Sequence, residues 1–281
     1  VNKIIALFLT GTALMAQNAE VYDGTPAPPP TPPDASPSWV MPHAVLHDNG
    51  PLVTHPTGGS GGAPASALQT AILLNAYGFA HAASGSFRVA DQFTAPMQWT
   101  VDSITVFAYQ TGSSTTSSLN SFNFRIWDGV PGAGGSSVVF GDTTTNRLSA
   151  TGWTGIYRAI DTSLTDTNRP IMYARADLGG LVLPPGTYWL DWQTGGSLGS
   201  GPWVPPVSVL GSTTTGDAQQ FTGSAWVALV DSGTSTPQGL PFIIEGTDID
   251  VPTLSQWGLI AFLLTLVGSA LVMMRRRRAF A

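Results

Sequence analysis

Histidine, carboxylate and serine side chains are the groups in this chain that could do chemistry, because it contains no cysteine. Thiol catalysis, cysteine zinc sites, haem attachment and disulfides are excluded from the start. His43 and His47 are four apart, which on a helix would set two metal ligands on one face. Pro42 and the surrounding Gly and Pro oppose a helix, and no Glu follows in the metalloprotease arrangement. These histidines therefore read as solvated residues of an arm, and no metal site is expected from them. Gly195-Gly196-Ser197-Leu198-Gly199 has the letters of a nucleophile elbow but lacks the helix that must follow one. A glycosidase needs two facing carboxylates. Asp91, Asp102, Asp128, Asp142, Asp161, Asp177 and Asp191 are available, but most read as turn or strand-edge residues that bond their own backbone. Calcium could be held by loop carboxylates and carbonyls, yet no Asp-x-Asp-x-Asp spacing supports it. The expectation is a protein without catalytic residues and without a cofactor.

The aromatic residues offer a different chemistry, stacking on sugar rings. Nine tryptophans occur in a chain with only 10% charged residues. Trp189 alternates with Tyr188, Leu190 and Trp192, so one strand would carry aromatics on both faces. Trp153, Trp203 and Trp226 lie beside Gly or Pro. These four tryptophans are the candidate glycan-stacking residues; the competing expectation is that they fill a disulfide-free core.

Composition says where such a protein belongs. Thirty-two glycines, 22 prolines and few charges fit an extracellular all-β protein better than a cytoplasmic enzyme. The formal net charge is −6, and the body is more acidic still because four of the eleven basic residues, Arg275 to Arg278, lie in the tail. Nucleic-acid binding needs clustered Lys and Arg; none exists outside that tail, so it is rejected.

The elements that must position these residues are mostly short strands. Residues 20–66 read as a Pro/Gly-rich linker: Pro26, Pro28 to Pro30, Pro32, Pro33 and Pro37 favour extended conformations and Gly58, Gly59, Gly61 and Gly62 add flexibility. From 67 to 248 strand-like runs alternate with turn clusters. The expected strands are 86–93, 99–109, 121–127, 137–140, 156–160, 171–178, 187–192, 207–210, 218–221, 225–230 and 241–245, with 67–83 leaning to strand over helix. In 122–128, Phe122, Phe124 and Ile126 face one way and Asn123, Arg125 and Trp127 the other. Such spacing predicts an all-β fold, an antiparallel β-sandwich of jelly-roll type. Leu183-Pro184-Pro185-Gly186-Thr187-Tyr188-Trp189-Leu190 and Val89-Ala90-Asp91-Gln92-Phe93 resemble strands of uncharacterised secreted bacterial sandwich modules, which bears on fold alone.

The tail, 249–281, is organised differently. Val251-Pro252-Thr253-Leu254 is followed by Trp257-Gly258, an uncharged run to Met274, and Arg275, Arg276, Arg277 and Arg278. The run Trp257–Met274 would make roughly 27 Å of helix, near the thickness of a bilayer core. The arginines would stop transfer and stay on the cytoplasmic side. This tail resembles the IPTL-CTERM class of bacterial sorting signals, relatives of the PEP-CTERM signals, matching at Pro252, Thr253, Leu254, Trp257 and Gly258 and departing by Val251 where Ile is usual. The resemblance implies that the chain is a substrate of an exosortase-like membrane peptidase cutting near Pro252. It also implies an association with exopolysaccharide-producing bacteria.

The other end agrees. Lys3 and the apolar stretch Ile4 to Met15 have the layout of a secretory signal peptide over 1–19, with cleavage after Ala16 or Ala19. The expected protein is exported, held transiently in the bacterial membrane, and then left at the cell surface or outside the cell. Its role would be structural or adhesive, with surface polysaccharide as a partner. The alternative is a carbohydrate-binding module using exposed Trp and Tyr.

Overall fold

The computed structural model describes residues 17–25, 42–249 and 254–278. In chain order the strands are β1 (Ala19–Val21), β2 (Val45–Asp48), β3 (Ala65–Leu68), β4 (Ala76–Ala80), β5 (Arg88–Ala95) and β6 (Gln98–Ala108). There follow β7 (Leu119–Trp127), β8 (Val138–Gly141), β9 (Ala150–Ile160), β10 (Pro170–Leu183), β11 (Gly186–Gly196) and β12 (Trp203–Val204). The last are β13 (Gln219–Phe221), β14 (Trp226–Ala228), β15 (Val230–Asp231), β16 (Thr236–Pro237) and β17 (Phe242–Ile249), then helix α1 (Leu254–Arg278).

Two six-stranded sheets make a sandwich-like all-β body. The first has the order β2-β17-β6-β10-β9-β3, the second β14-β13-β5-β11-β7-β8. All pairings are antiparallel except β3 with β9, which is parallel. The alternation seen in the sequence explains the core. Phe122, Phe124 and Ile126 of β7 and Leu190 and Trp192 of β11 meet Val101, Ile104 and Val106 of β6 and Phe242 and Ile244 of β17. Across the layers the Trp192 and Phe242 rings lie 5.8 Å apart in a T-shaped contact, and Phe93 meets the same ring at 6.1 Å. Burying rings of this size substitutes for disulfides, each contributing roughly 1.5–3 kcal/mol through area removed from water. A smaller sheet, β1-β4-β12, closes one side.

Several expectations need correction. The segment 20–66 is not a plain linker: Ala19–Val21 pairs with β4 and Val45–Asp48 joins β17 in the first sheet. Leu52 and Val53 then pack on the outer face of that sheet against Phe107, Ile156, Ile171, Tyr173 and Ile243. Tertiary cover, not local periodicity, orders this stretch; residues 26–41, with the proline cluster, lie outside the described residues. The expected strand at 207–210 is absent; its backbone instead bonds Gly239 and Pro51. Residues 67–83 divide into the end of β3, a 3-10 turn at Thr70–Ile72 and β4.

Candidate functional site

A buried charged cluster lies on the outer face of the second sheet. Because Asp191 is opposite Arg125, and Trp189 opposite Trp127, the side chains that β11 and β7 turn away from the core form adjacent rows. Arg88 stands on the neighbouring β5, opposite Phe221 of β13, which is in turn opposite Trp226 of β14. The carboxylate of Asp191 is the hub. Arg88 Nε donates to its Oδ1 at 2.5 Å, while Arg125 Nε at 2.8 Å and Trp127 Nε1 at 3.0 Å donate to Oδ2. The Arg125 guanidinium also lies 4.8 Å over the Trp127 ring. Asp191 is fully buried, and Arg88 is 3% exposed. Burial pulls the Arg88 guanidinium below its ordinary value and the Asp191 charge pulls it back up.

Loops roof this face. Gln193 Nε2 donates to the Thr143 carbonyl at 3.0 Å and Asn123 Nδ2 to the Thr145 carbonyl at 2.5 Å. The β7–β8 loop reaches Trp226: a Cβ on Gly132, whose φ is +76°, would stand 2.9 Å from the indole. Only glycine allows that approach. Arg125, Trp127, Phe221 and Trp226 remain half-exposed around the roof, and Arg88 Nη1 has no hydrogen-bond partner.

The four tryptophans chosen as glycan-stacking candidates fare unequally. Trp153 is core, packed on Tyr157 at 5.2 Å, and Trp189 is 5% exposed, so neither offers a free ring face. Trp203 and Trp226 are half-exposed. Sequence reasoning missed Arg88, Arg125 and Trp127. The available signal was a charged residue inside an otherwise apolar strand, Asp191 between Leu190 and Trp192.

The remaining titratable groups are built into the scaffold. His47 is not a solvated arm residue: it packs on Phe242 at 5.3 Å and Phe93 at 6.0 Å, and burial lowers its pKa. His43 sits 3.5 Å from Asp102, and His55 bonds Thr54. His81 is fully buried beside Thr194 Oγ1 at 2.9 Å, and desolvation pushes its pKa down to about 3. Asp91 ties the two sheets together, accepting from Gln92 N, Asn49 Nδ2 and Leu240 N at 2.8 Å each. Desolvation outweighs those donors and pushes its pKa up to about 7. Asp142 accepts from the backbone and hydroxyls of Thr144 and Thr145, which hold its carboxyl well below the usual range. Ser197 lies in a loop clamped by Gln110, which bonds both Leu198 N and Leu198 O. Among the described residues no three His, Cys, Asp or Glu side chains gather as a metal site. An open cleft of about 460 Å³ between β2, Trp99 and β17 has Asp248 as its one titratable side chain.

The second region of interest is α1. Its described side chains, 257–270, Met273 and Met274, are all exposed, among them Leu264 at 68% and Leu259 at 63%. Among the described residues no helix is long and apolar enough to cross a membrane. The expected transmembrane element is thus found as a helix but not as a span. Trp257 and Gly258 of the sorting motif lie in its first turns, and Leu254 begins it. Val251, Pro252 and Thr253 lie outside the described residues, and the Arg275–Arg278 backbone forms the last helical turn. No family model, no curated protein and no solved structure matches the chain.

Proposed function

We propose that the chain is an exported bacterial surface protein, lodged in the membrane by its C-terminal helix and then processed by an exosortase-like peptidase. The mature body would serve a non-enzymatic, structural or adhesive role at the cell surface or in the extracellular matrix, on a jelly-roll-like sandwich. One observation carries the reading: the described side chains of α1, 257–270, Met273 and Met274, are mostly apolar and all exposed, with no amphipathic stripe and no cover from the body among them. Water does not tolerate such a helix, whereas lipid does. The run Trp257–Met274 is uncharged and four arginines follow, an order that supports an arginine end kept in the cytoplasm. The Pro-Thr-Leu motif then stands at the outer interface, within reach of a membrane peptidase.

The charge distribution supports an outward-facing body. Setting aside Lys3 and the tail, six arginines face sixteen carboxylates. Every one of the six is buried or half-buried, whereas Asp23, Asp48, Asp128, Asp177, Asp217 and Asp248 are exposed. Such a surface repels polyanions and stays soluble at high density. Fractionation tests the reading: the unprocessed chain partitions with membranes and external protease digests its body. A full-length chain recovered soluble from the cytosol, with α1 folded on the sandwich, contradicts it.

A second reading, binding of neutral surface polysaccharide, is favoured by half-exposed aromatic rings on the second sheet: Trp127 beneath the Arg125 guanidinium, and Phe221 packed on Trp226. Titration with a polysaccharide panel should shift tryptophan fluorescence, and Trp226→Ala or Trp127→Ala should abolish the shift. Silence across the panel leaves the structural role.

A further inference from the structure

We propose that the leader is cut between Ala16 and Gln17, making Gln17 the first residue of the mature protein. The inference rests on the export reading above and deepens it. Alanine precedes the cut at both Ala16 and Ala19, so the residue before the bond does not separate the two. The fold separates them, because Gln17, Asn18 and Ala19 are working parts of it.

The Gln17 amide clasps Val230 in both directions. Its Nε2 donates to the Val230 carbonyl at 2.6 Å, and its Oε1 accepts from Val230 N at 2.9 Å. The Asn18 backbone is held the same way by Gln220: Asn18 N donates to Gln220 Oε1 at 2.9 Å, and Gln220 Nε2 donates to the Asn18 carbonyl at 2.8 Å. That carbonyl also accepts from Ala80 N at 2.9 Å. Ala19 then pairs with Phe79 as the first residue of β1 and packs on the main core. The receiving side is built for these residues. Gln220 is fully buried, and among the described residues its side chain bonds, besides Asn18, the Ala80 carbonyl at 2.9 Å.

A cut after Ala19 would remove the Asn18 N–H that Gln220 Oε1 accepts, the Asn18 carbonyl that its Nε2 bonds alongside that of Ala80, and the acceptor for Ala80 N. Buried amides stripped of partners are costly, so a domain of this shape would carry a standing penalty. A cut after Ala16 leaves all of these bonds in place. Hydrolysis by a membrane-bound leader peptidase adds one water across the Ala16–Gln17 amide. It leaves the Ala16 carboxylate on the leader and the Gln17 ammonium on the domain.

The test is expression of the full chain in a bacterial host with an intact export pathway, followed by mass spectrometry of the N-terminal peptide from the exported pool. The expected N-terminus is Gln17, as glutamine or as its pyroglutamate form. A mature chain beginning at Glu20, or anywhere else after Ala16, overturns the inference while leaving export intact. An uncut chain recovered from the cytosol overturns the export reading itself, and this inference with it.

Discussion

The sandwich and α1 are made of similar side chains with opposite fates. Leu190, Trp192, Phe122 and Phe124 are sealed between two sheets, whereas Leu259, Phe262, Leu264 and Val267 stand bare. The difference lies in pattern. In β7 and β11 apolar and polar residues alternate, so one face can be dry and the other carry Arg125 and Asp191. In α1 no polar stripe exists, so no face can be turned to water without exposing another apolar one. One region is covered by its own partner layer; the other has its described side chains exposed.

Four experiments press on that contrast, from the largest expected effect to the smallest. Paired substitution Leu264→Arg and Val267→Arg should abolish membrane retention, since each central charge costs about 2.5–3.5 kcal/mol on insertion. The unfolding midpoint of the sandwich should not move; retention equal to the parent would break the contrast. Asp191→Ala removes the one carboxylate shared by Arg88 and Arg125, leaving Arg88 buried and unpaired. Chemical denaturation should show a loss of about 3–5 kcal/mol, and a loss below about 1 kcal/mol would mean that the roofed face is open to water.

The third experiment concerns pH. His81 titrates near 6.5 when unfolded and near 3 when folded, so between those values the unfolded chain binds the extra proton. Its contribution is fully present above pH 6.5 and is lost as pH falls toward 3, at up to about 1.4 kcal/mol per unit. Asp91 works the other way: with a folded value of about 7 against 3.8 unfolded, its native state holds the proton, and stability falls as pH rises between them. The two oppose each other in the parent. Thermal melts of His81→Gln should therefore be more stable at pH 5 relative to pH 7 than the parent, and those of Asp91→Asn less so. Parallel pH profiles in all three proteins would contradict both assignments. The smallest effect is expected from Trp226→Ala, whose ring is half-exposed on Phe221 at 5.5 Å. Stability should change by less than about 1 kcal/mol on the scale of surface substitutions, as read by the denaturation midpoint.

Much of the sandwich was legible because its long strands carry their own evidence. The alternation in 122–128 correctly sorted Phe122, Phe124 and Ile126 from Asn123, Arg125 and Trp127. Residues 17–25 and 42–66 were not legible, because β1 and β2 are short and owe their order to distant partners such as Gln220, Phe79 and Ile244. The Arg88–Asp191–Arg125 cluster was hidden for a related reason. A charge mid-strand reads as an edge residue until the register shows two arginines converging on it. The tryptophans misled for the opposite reason: proximity to glycine suggested exposure for Trp153, but Gly152 and Gly155 lie within β9 and Trp153 faces the core.

The measurement that bears most directly on the central claim is the intact mass of the surface-exposed mature form. A tail that is an address label predicts a C-terminus near Pro252, with α1 and Arg275 to Ala281 gone. A surface form that still carries Arg275 to Ala281 would contradict sorting and leave a plain membrane anchor.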